Sequence, residues 1–220
     1  MKTVVIGSNR GIGLEIVRQL SARGEVVIAV CRSSSQELRG IEQVEVREGI
    51  DITDSASLRA LADSLGEGAL DSLWVVAGVL RRVTLSPLDL EEIRKQFEIN
   101  ALGPLNAVAT LRSTLKRPSK VALLTSRMGS IADNTSGGSY GYRMSKAALN
   151  MAGRSLAHDL DTDRIALALL HPGYVKTDMT GGNGNLSPEE SAKGLITQMD
   201  ALTQERSGVF LHQNGDELPW

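Results

Sequence analysis

The sequence predicts an α/β fold, a single domain on a doubly wound, mostly parallel seven-stranded sheet with helices on both faces. Short β-branched runs alternate with helical patterns from one end of the chain to the other. Several runs are almost continuously apolar, such as Val26-Val27-Ile28-Ala29-Val30 and Ile165-Ala166-Leu167-Ala168-Leu169-Leu170. Strands covered on both faces require that pattern. The 220 residues, 41% hydrophobic and 23% charged, suit one globular domain, and no repeat or linker divides residues 1–220.

Taken in order, the expected strands are Thr3–Ile6, Val26–Cys31, Val44–Arg47, Ser72–Ala77, Lys120–Thr125, Ile165–Leu170 and Gly208–Leu211. Helical stretches fall near 12–23, 54–65, 87–116, 141–160 and 188–203. Ser86-Pro87-Leu88-Asp89 and Ser187-Pro188-Glu189-Glu190 each read as an N-cap serine followed by proline at N1 and an acid at N3, and the second has the sequence of a capping box. Thr180–Asn185 is the one loose segment, its glycines permitting a mobile loop.

The first strand runs into Gly7-Ser8-Asn9-Arg10-Gly11-Ile12-Gly13 and then an amphipathic helix. Glycines at such a turn let backbone approach a pyrophosphate, and the helix start offers free N–H groups and a positive dipole end. A plain connecting turn would show the glycines as well, but the strand before and the helix after favour phosphate binding. The second strand ends Ala29-Val30-Cys31-Arg32, without the carboxylate that accepts hydrogen bonds from the ribose hydroxyls of NAD. Arg32 and Arg10 are placed to pair with a 2′-phosphate, so NADPH is the expected cofactor.

Tyr142-Arg143-Met144-Ser145-Lys146 puts a phenol and an ammonium on one helix face. An unperturbed phenol titrates near 10, too high for acid–base work at neutral pH, and a nearby ammonium is expected to lower it. The spacing alone is a weak signal; its place after a strand ending at Ser126 strengthens it.

Together these motifs resemble the short-chain dehydrogenase/reductase family over essentially the whole chain. Phe97-Glu98-Ile99-Asn100, Thr125-Ser126 and the Tyr142 block look like the family's catalytic segments, which would make Asn100, Ser126, Tyr142 and Lys146 catalytic. Asp51 and Ile52 resemble the adenine-side pair; Pro172, Gly173, Val175 and Thr177 resemble the turn beside the nicotinamide; Ala77 and Gly78 resemble the small residues that let cofactor approach. The resemblance thus implies cofactor contacts at Gly7, Ser8, Asn9, Arg10, Gly11, Ile12, Gly13, Arg32, Asp51, Ile52, Ala77, Gly78, Tyr142, Lys146, Pro172, Gly173, Val175 and Thr177. The segment from Phe210-Leu211 to Leu218-Pro219-Trp220 further resembles the C-factor-like branch of carbonyl reductases.

The family's Asn-Asn before Ala-Gly is here Val75-Val76, and Ser126 lies farther before Tyr142 than usual, implying an insertion around Asn134–Gly138. Ser130 is the alternative serine. The implied fold is Rossmann-like and the implied reaction is hydride transfer between NADPH and the carbonyl or alcohol carbon of a small aldehyde or ketone. In it Ser126 and Tyr142 hold the oxygen, Tyr142 is the general acid, Lys146 tunes Tyr142 and holds the nicotinamide ribose, and Asn100 positions a relay water. A dinucleotide-binding signalling or redox-sensing protein is the competing reading.

The remaining features exclude more than they add. A formal net charge of −2 gives no broad pull toward nucleic acid or an anionic membrane, so neither is an expected partner. Cys31 is the single cysteine, which fits a reducing compartment, and it reads as core. The apolar run ending at Ile6 is too short for a signal peptide and no run of about 18 apolar residues occurs, so a cytoplasmic address is expected. His158, His171 and His212 lack ligand spacing; no metal is expected, and His171 reads as a strand end. Trp74 reads as core. Arg81-Arg82 reads as a solvated pair in preference to an edge of the site, and Arg127 as solvated in preference to a guide for an anionic substrate. Substrate walls are expected from Arg127–Ser130, Tyr174 and Asp178–Leu186. Ala101, Gly103, Ala107, Ala147 and Ala148 would allow close helix approach in a homodimer or homotetramer.

Overall fold

The computed structural model describes all 220 residues. Seven strands form one sheet, β1 (Lys2–Ile6), β2 (Val26–Val30), β3 (Val44–Arg47), β4 (Leu70–Val75), β5 (Leu115–Leu124), β6 (Ile165–His171) and β7 (Val209–His212). Their order is β3-β2-β1-β4-β5-β6-β7, and every pair is parallel. The chain leaves β1 toward β2 on one side and returns to β4 on the other. The carboxyl ends of β1 and β4 therefore flank the switch point where open α/β sheets bind ligands.

The crossovers carry α1 (Gly11–Ala22), α2 (Gln36–Arg39), α3 (Ser55–Leu65), α4 (Leu90–Phe97), α5 (Gly103–Leu111), α6 (Tyr140–Asp159) and α7 (Pro188–Ala201). Side chains alternate across the strands, so one strand feeds two cores. Val4, Ile6, Ile28, Val30, Val121 and Leu123 pack with Leu58 of α3, Leu111 of α5 and Leu149 of α6. Their neighbours Val5, Val27, Ala29 and Ala122 pack with Ile16 and Leu20 of α1 and Leu195 of α7. Trp74 is buried in this second core and Cys31 lies beside it. No helix is long and apolar enough to cross a membrane.

Several local expectations change. The stretch 87–116 is not one helix: α4 ends at Phe97, a π-helical turn spans Glu98–Leu102, α5 ends at Leu111, and β5 already begins at Leu115. Ser86 does not cap it. Asp89 is the N-cap, its carboxylate accepting from the Glu92 N–H at 2.9 Å, because it is as good a cap and has Glu91 and Glu92 behind it. Ser187 does cap α7, in a complete capping box with Glu190. The short α2, capped by Ser35, had too little periodicity to announce itself.

Candidate active site

At the end of β1 the turn is built by backbone packed on backbone. Gly7 has φ 91°, and a Cβ there would lie 2.5 Å from the Ala77 nitrogen; a Cβ on Gly13 would lie 2.1 Å from the Gly7 carbonyl oxygen. Any side chain at either position would push α1 and the β4 end apart. The first turn of α1 has no side-chain cap and no acid, which leaves N–H groups for an anion. In front of Gly11 the first atom a Cβ would meet is the Thr177 methyl, at 3.4 Å. This cradle fits a dinucleotide diphosphate. Ser8, expected among the cofactor contacts, is fully buried and its hydroxyl donates to the Val30 carbonyl at 3.1 Å, so its side chain builds the turn.

On the adenosine side, Arg32 is exposed, with Nη1 3.8 Å from Asp51 Oδ2. The other oxygen of Asp51 accepts from the Thr53 N–H at 2.9 Å and hydroxyl at 2.8 Å. Led by the backbone bond, and against burial, these and Arg32 hold its carboxyl below the usual range. Arg10 pairs with Asp178 at 2.9 Å, an acid 168 residues further along the chain. Ile52 is buried against Gly103, where a Cβ would lie 2.9 Å from the Ile52 side chain. Glu48, the carboxylate beside the β2 end, is held down to about 2, first by the Ser34 hydroxyl and then by Arg39 and the Ser34 N–H. It is thereby engaged within the chain, in a cluster that no local pattern announces.

The catalytic candidates meet at the ends of β4 and β5. Ser126 follows β5, is buried, caps the 3-10 turn Arg127–Gly129 through the Met128 N–H at 3.1 Å, and lies near enough to the Tyr142 phenol to oppose its upward shift. Ser130 accepts instead from the Asp133 N–H at 3.1 Å. That 3-10 turn is pinned to α6, since a Cβ on Gly129 would lie 2.7 Å from the Lys146 carbonyl carbon. Tyr142 and Lys146, one turn apart on α6, are both buried, with the Lys146 Nζ 5.9 Å from the Tyr142 ring centre and donating to the Leu124 carbonyl at 2.8 Å.

Asn100 sits in the π turn, a device that recurs at functional sites. Its amide donates to the Val79 carbonyl at 2.8 Å and to Ser145 Oγ at 3.0 Å, and its Oδ1 accepts from the Val79 N–H at 2.8 Å. A Cβ on Gly78 would come 3.2 Å from Asn100 Oδ1 and 3.6 Å from Lys146 Nζ, so the missing side chain leaves this corner open. Ser145 and Gln96, which accepts from the Arg81 N–H at 3.0 Å, also brace the site. Their types carried no signal in the sequence.

One electrostatic expectation is corrected. Burial pushes the Tyr142 phenol up, with Ser126 opposing, and burial pushes Lys146 down to about 7. Desolvation of both groups outweighs their mutual attraction, so each favours its neutral form.

Beyond β6, Gly173 has φ 85° with Leu186 in the path of any Cβ, and the Pro172 carbonyl accepts from Ser191 at 2.8 Å. Val175 is buried, Thr177 precedes the short turn Asp178–Thr180, and the segment Thr180–Asn185, expected to be loose, is tied back by the Gly182 N–H to the Thr177 carbonyl at 2.9 Å and the Asn185 N–H to the Tyr174 carbonyl at 2.7 Å. His171 ends β6; burial, with the His212 ring beside it, pushes it down to about 3, and it is neutral. Tyr174 and Met179 are exposed over this face.

A parallel switch-point cleft with a glycine cradle and a buried Ser–Tyr–Lys–Asn cluster defines a dinucleotide-dependent oxidoreductase site. The short chain dehydrogenase model matches residues 2–185, and the chain belongs to that family. It is 45% identical, over the whole of both chains, to a Rhodococcus sp. (strain AD45) protein named 1-hydroxy-2-glutathionyl-2-methyl-3-butene dehydrogenase. It is 43% identical to C-signal of Myxococcus xanthus, over 74% of this chain and all of that one, in line with the C-factor-like resemblance. Among solved structures, an NADPH-bound carbonyl reductase from chicken fatty liver superposes with a TM-score of 0.92 at 30% identity, covering 100% of this chain and 98% of that one.

Proposed function

We propose that the protein is an NADPH-dependent reductase of aldehydes or ketones, running as an alcohol dehydrogenase in reverse, with Tyr142 as general acid/base. The observation that carries this reading is the buried Ser126–Tyr142–Lys146 cluster opening through Gly78 beside the glycine cradle. When bound, NADPH supplies the hydride. The first turn of α1 and Gly11 would hold its diphosphate, Arg32 its 2′-phosphate, and Lys146 its nicotinamide ribose. The engagement of Glu48 by Ser34 and Arg39 leaves no free carboxylate at the β2 end for the ribose hydroxyls of NAD. Ser126 and the Tyr142 hydroxyl donate to the substrate oxygen, stabilising charge where it develops, and Tyr142 then gives up its proton. Asn100, by clamping Val79, fixes the floor on which the carbonyl sits.

The full-length similarity to a dehydrogenase named for a glutathionyl alcohol makes a glutathione thioether one candidate substrate. The similarity to C-signal supports a second reading, a dinucleotide-binding signalling protein. Tyr142→Phe tests between them: the ring stays and the proton donor goes, so kcat should fall at least about 100-fold with NADPH affinity nearly unchanged. NADPH oxidation over a carbonyl panel reads it out. Wild-type protein that binds NADPH and turns over no carbonyl would favour the signalling reading.

A further inference from the structure

We infer that the substrate of this site carries carboxylates, as a glutathione thioether does, and that an arginine rim formed by Arg81, Arg82 and Arg143 recognises them. The inference rests on the reductase reading and adds to it the charge of the substrate.

Three chain segments build the reacting corner, and each carries arginine next to its site residue. Arg81 and Arg82 follow Gly78 and Val79, Arg127 follows Ser126, and Arg143 follows Tyr142. Across residues 76–83, 126–133 and 139–146 the single acid is Asp133. It is spent on Arg127, whose charge it largely cancels. The fourth wall, residues 173–186, has one acid, Asp178, and Arg10 takes it at 2.9 Å. The mouth of the site therefore keeps Arg81, Arg82 and Arg143 without an ion pair, and Lys176 of the fourth wall as well, on a chain whose net charge is −2.

The segments that carry these three arginines adjoin. The Tyr140 N–H donates to the Val83 carbonyl at 3.3 Å, joining the segment of Arg81 and Arg82 to the first turn of α6. Gln96 ties the same two segments from below: it accepts from the Arg81 N–H, and its amide nitrogen lies 2.7 Å from where a Gly141 Cβ would be. Arg143 is half-buried and meets only neutral oxygens, the Gly137 carbonyl at 3.2 Å and Ser136 Oγ at 2.9 Å. Arg81 and Arg82 are exposed and none of the three makes an ion pair. A solvated arginine is ordinarily paired at little gain or left free. Three guanidiniums without an ion pair on adjoining segments, with Asp133 and Asp178 taken by other arginines, are matched to the planar carboxylates of an anionic ligand. The field they set up also concentrates such a ligand at the mouth.

The test uses matched ketones: the 2-oxopropyl thioether of glutathione, its dimethyl ester, and the 2-oxopropyl thioether of 2-mercaptoethanol. With NADPH, the free acid should show kcat/KM on the order of tenfold above the diester, the gap shrinking as salt is raised. In Arg81→Ser/Arg82→Ser the gap should close, the loss falling in KM more than kcat, with thermal stability checking the fold. Equal rates for acid and diester, or a variant that slows both alike, overturn the inference. Turnover of the mercaptoethanol thioether alone also overturns it while leaving the reductase reading intact. Binding of S-methylglutathione and of its dimethyl ester to the NADP+-saturated protein, by calorimetry, reads charge recognition without turnover. Equal affinities there overturn the inference even if no ketone is reduced.

Discussion

Asn100→Ala separates the architecture of the site from its chemistry. Asn100 is completely buried and makes three hydrogen bonds, two to the Val79 backbone and one to Ser145. Truncation removes the partner of the Val79 N–H and of the Val79 carbonyl, while the Ser145 hydroxyl loses one bond and keeps the one it donates to the Tyr142 carbonyl at 2.9 Å. At about 1 kcal/mol per bond, more where a group is left dry, the loss is about 3 kcal/mol. For a chain of this length each kcal/mol lowers Tm by about 2–4 °C, so a fall of about 6–12 °C is expected in calorimetry. Activity should fall with it even well below the variant's Tm, because Val79 adjoins Gly78 at the open corner facing Lys146. Asn100→Asp keeps the acceptor but turns the donor into a second acceptor against the Val79 carbonyl, and it should be no more stable than the alanine variant. A Tm drop under about 2 °C for Asn100→Ala would refute the clamp, since water would then be replacing the amide at no cost.

Three further outcomes follow from the same geometry. Ser126→Ala should lose at least about 100-fold in kcat while Ser130→Ala stays near wild type, because Ser126 is the serine that acts on the Tyr142 phenol and Ser130 is engaged by the Asp133 N–H; the reverse result would move the proposed catalytic role to Ser130. Arg32→Ser should erase most of the NADPH-over-NADH preference, on the order of tenfold in Kd by fluorescence titration, and Arg10→Ser much less, since Arg10 is held by Asp178. Equal effects would return Arg10 to the 2′-phosphate. For Lys146, depressed to about 7 by burial, the penalty on the charged form is present in full below that pH, where folded and unfolded chains both hold the proton. It is relieved as pH rises toward the unfolded value near 10.5, because across that window the unfolded chain binds more protons. Lys146→Met should therefore raise Tm relative to wild type more at about pH 6 than at about pH 10; an equal change at both would show that the lysine is solvated in the fold.

What was legible in the sequence was whatever depends on local pattern. The apolar runs of β1, β2, β5 and β6 announce strands buried on both faces, and Gly7 and Gly13 announce a turn where no Cβ fits. The capping box at Ser187 was readable because its four residues suffice to make it. The break in the helix after Phe97 was not, since a π turn depends on what Asn100 finds across the site, the backbone of Val79. The partners of Arg10 and Arg127 were likewise invisible: Asp178 lies 168 residues from Arg10 in sequence, and charge pairing over that separation is decided by the fold.

The least legible property was the sign of the electrostatics in the catalytic pair. Spacing puts Lys146 beside Tyr142, and in water an ammonium there would stabilise a phenolate. In this fold both side chains are taken out of water, and the loss of hydration raises Tyr142 and lowers Lys146. A neutral phenol is what a general acid must be before it gives its proton to a developing alkoxide. A lysine whose single hydrogen bond is to the Leu124 carbonyl has N–H donors left to offer. Burial thus keeps the resting phenol protonated, the form that the proposed reductive direction needs. In the proposed mechanism, oxidation of an alcohol begins by ionising Tyr142 against that desolvation, which predicts that reduction is favoured near neutral pH and oxidation only as pH rises. A pH–rate profile in both directions with one substrate pair tests this, and an oxidation rate independent of pH would contradict it.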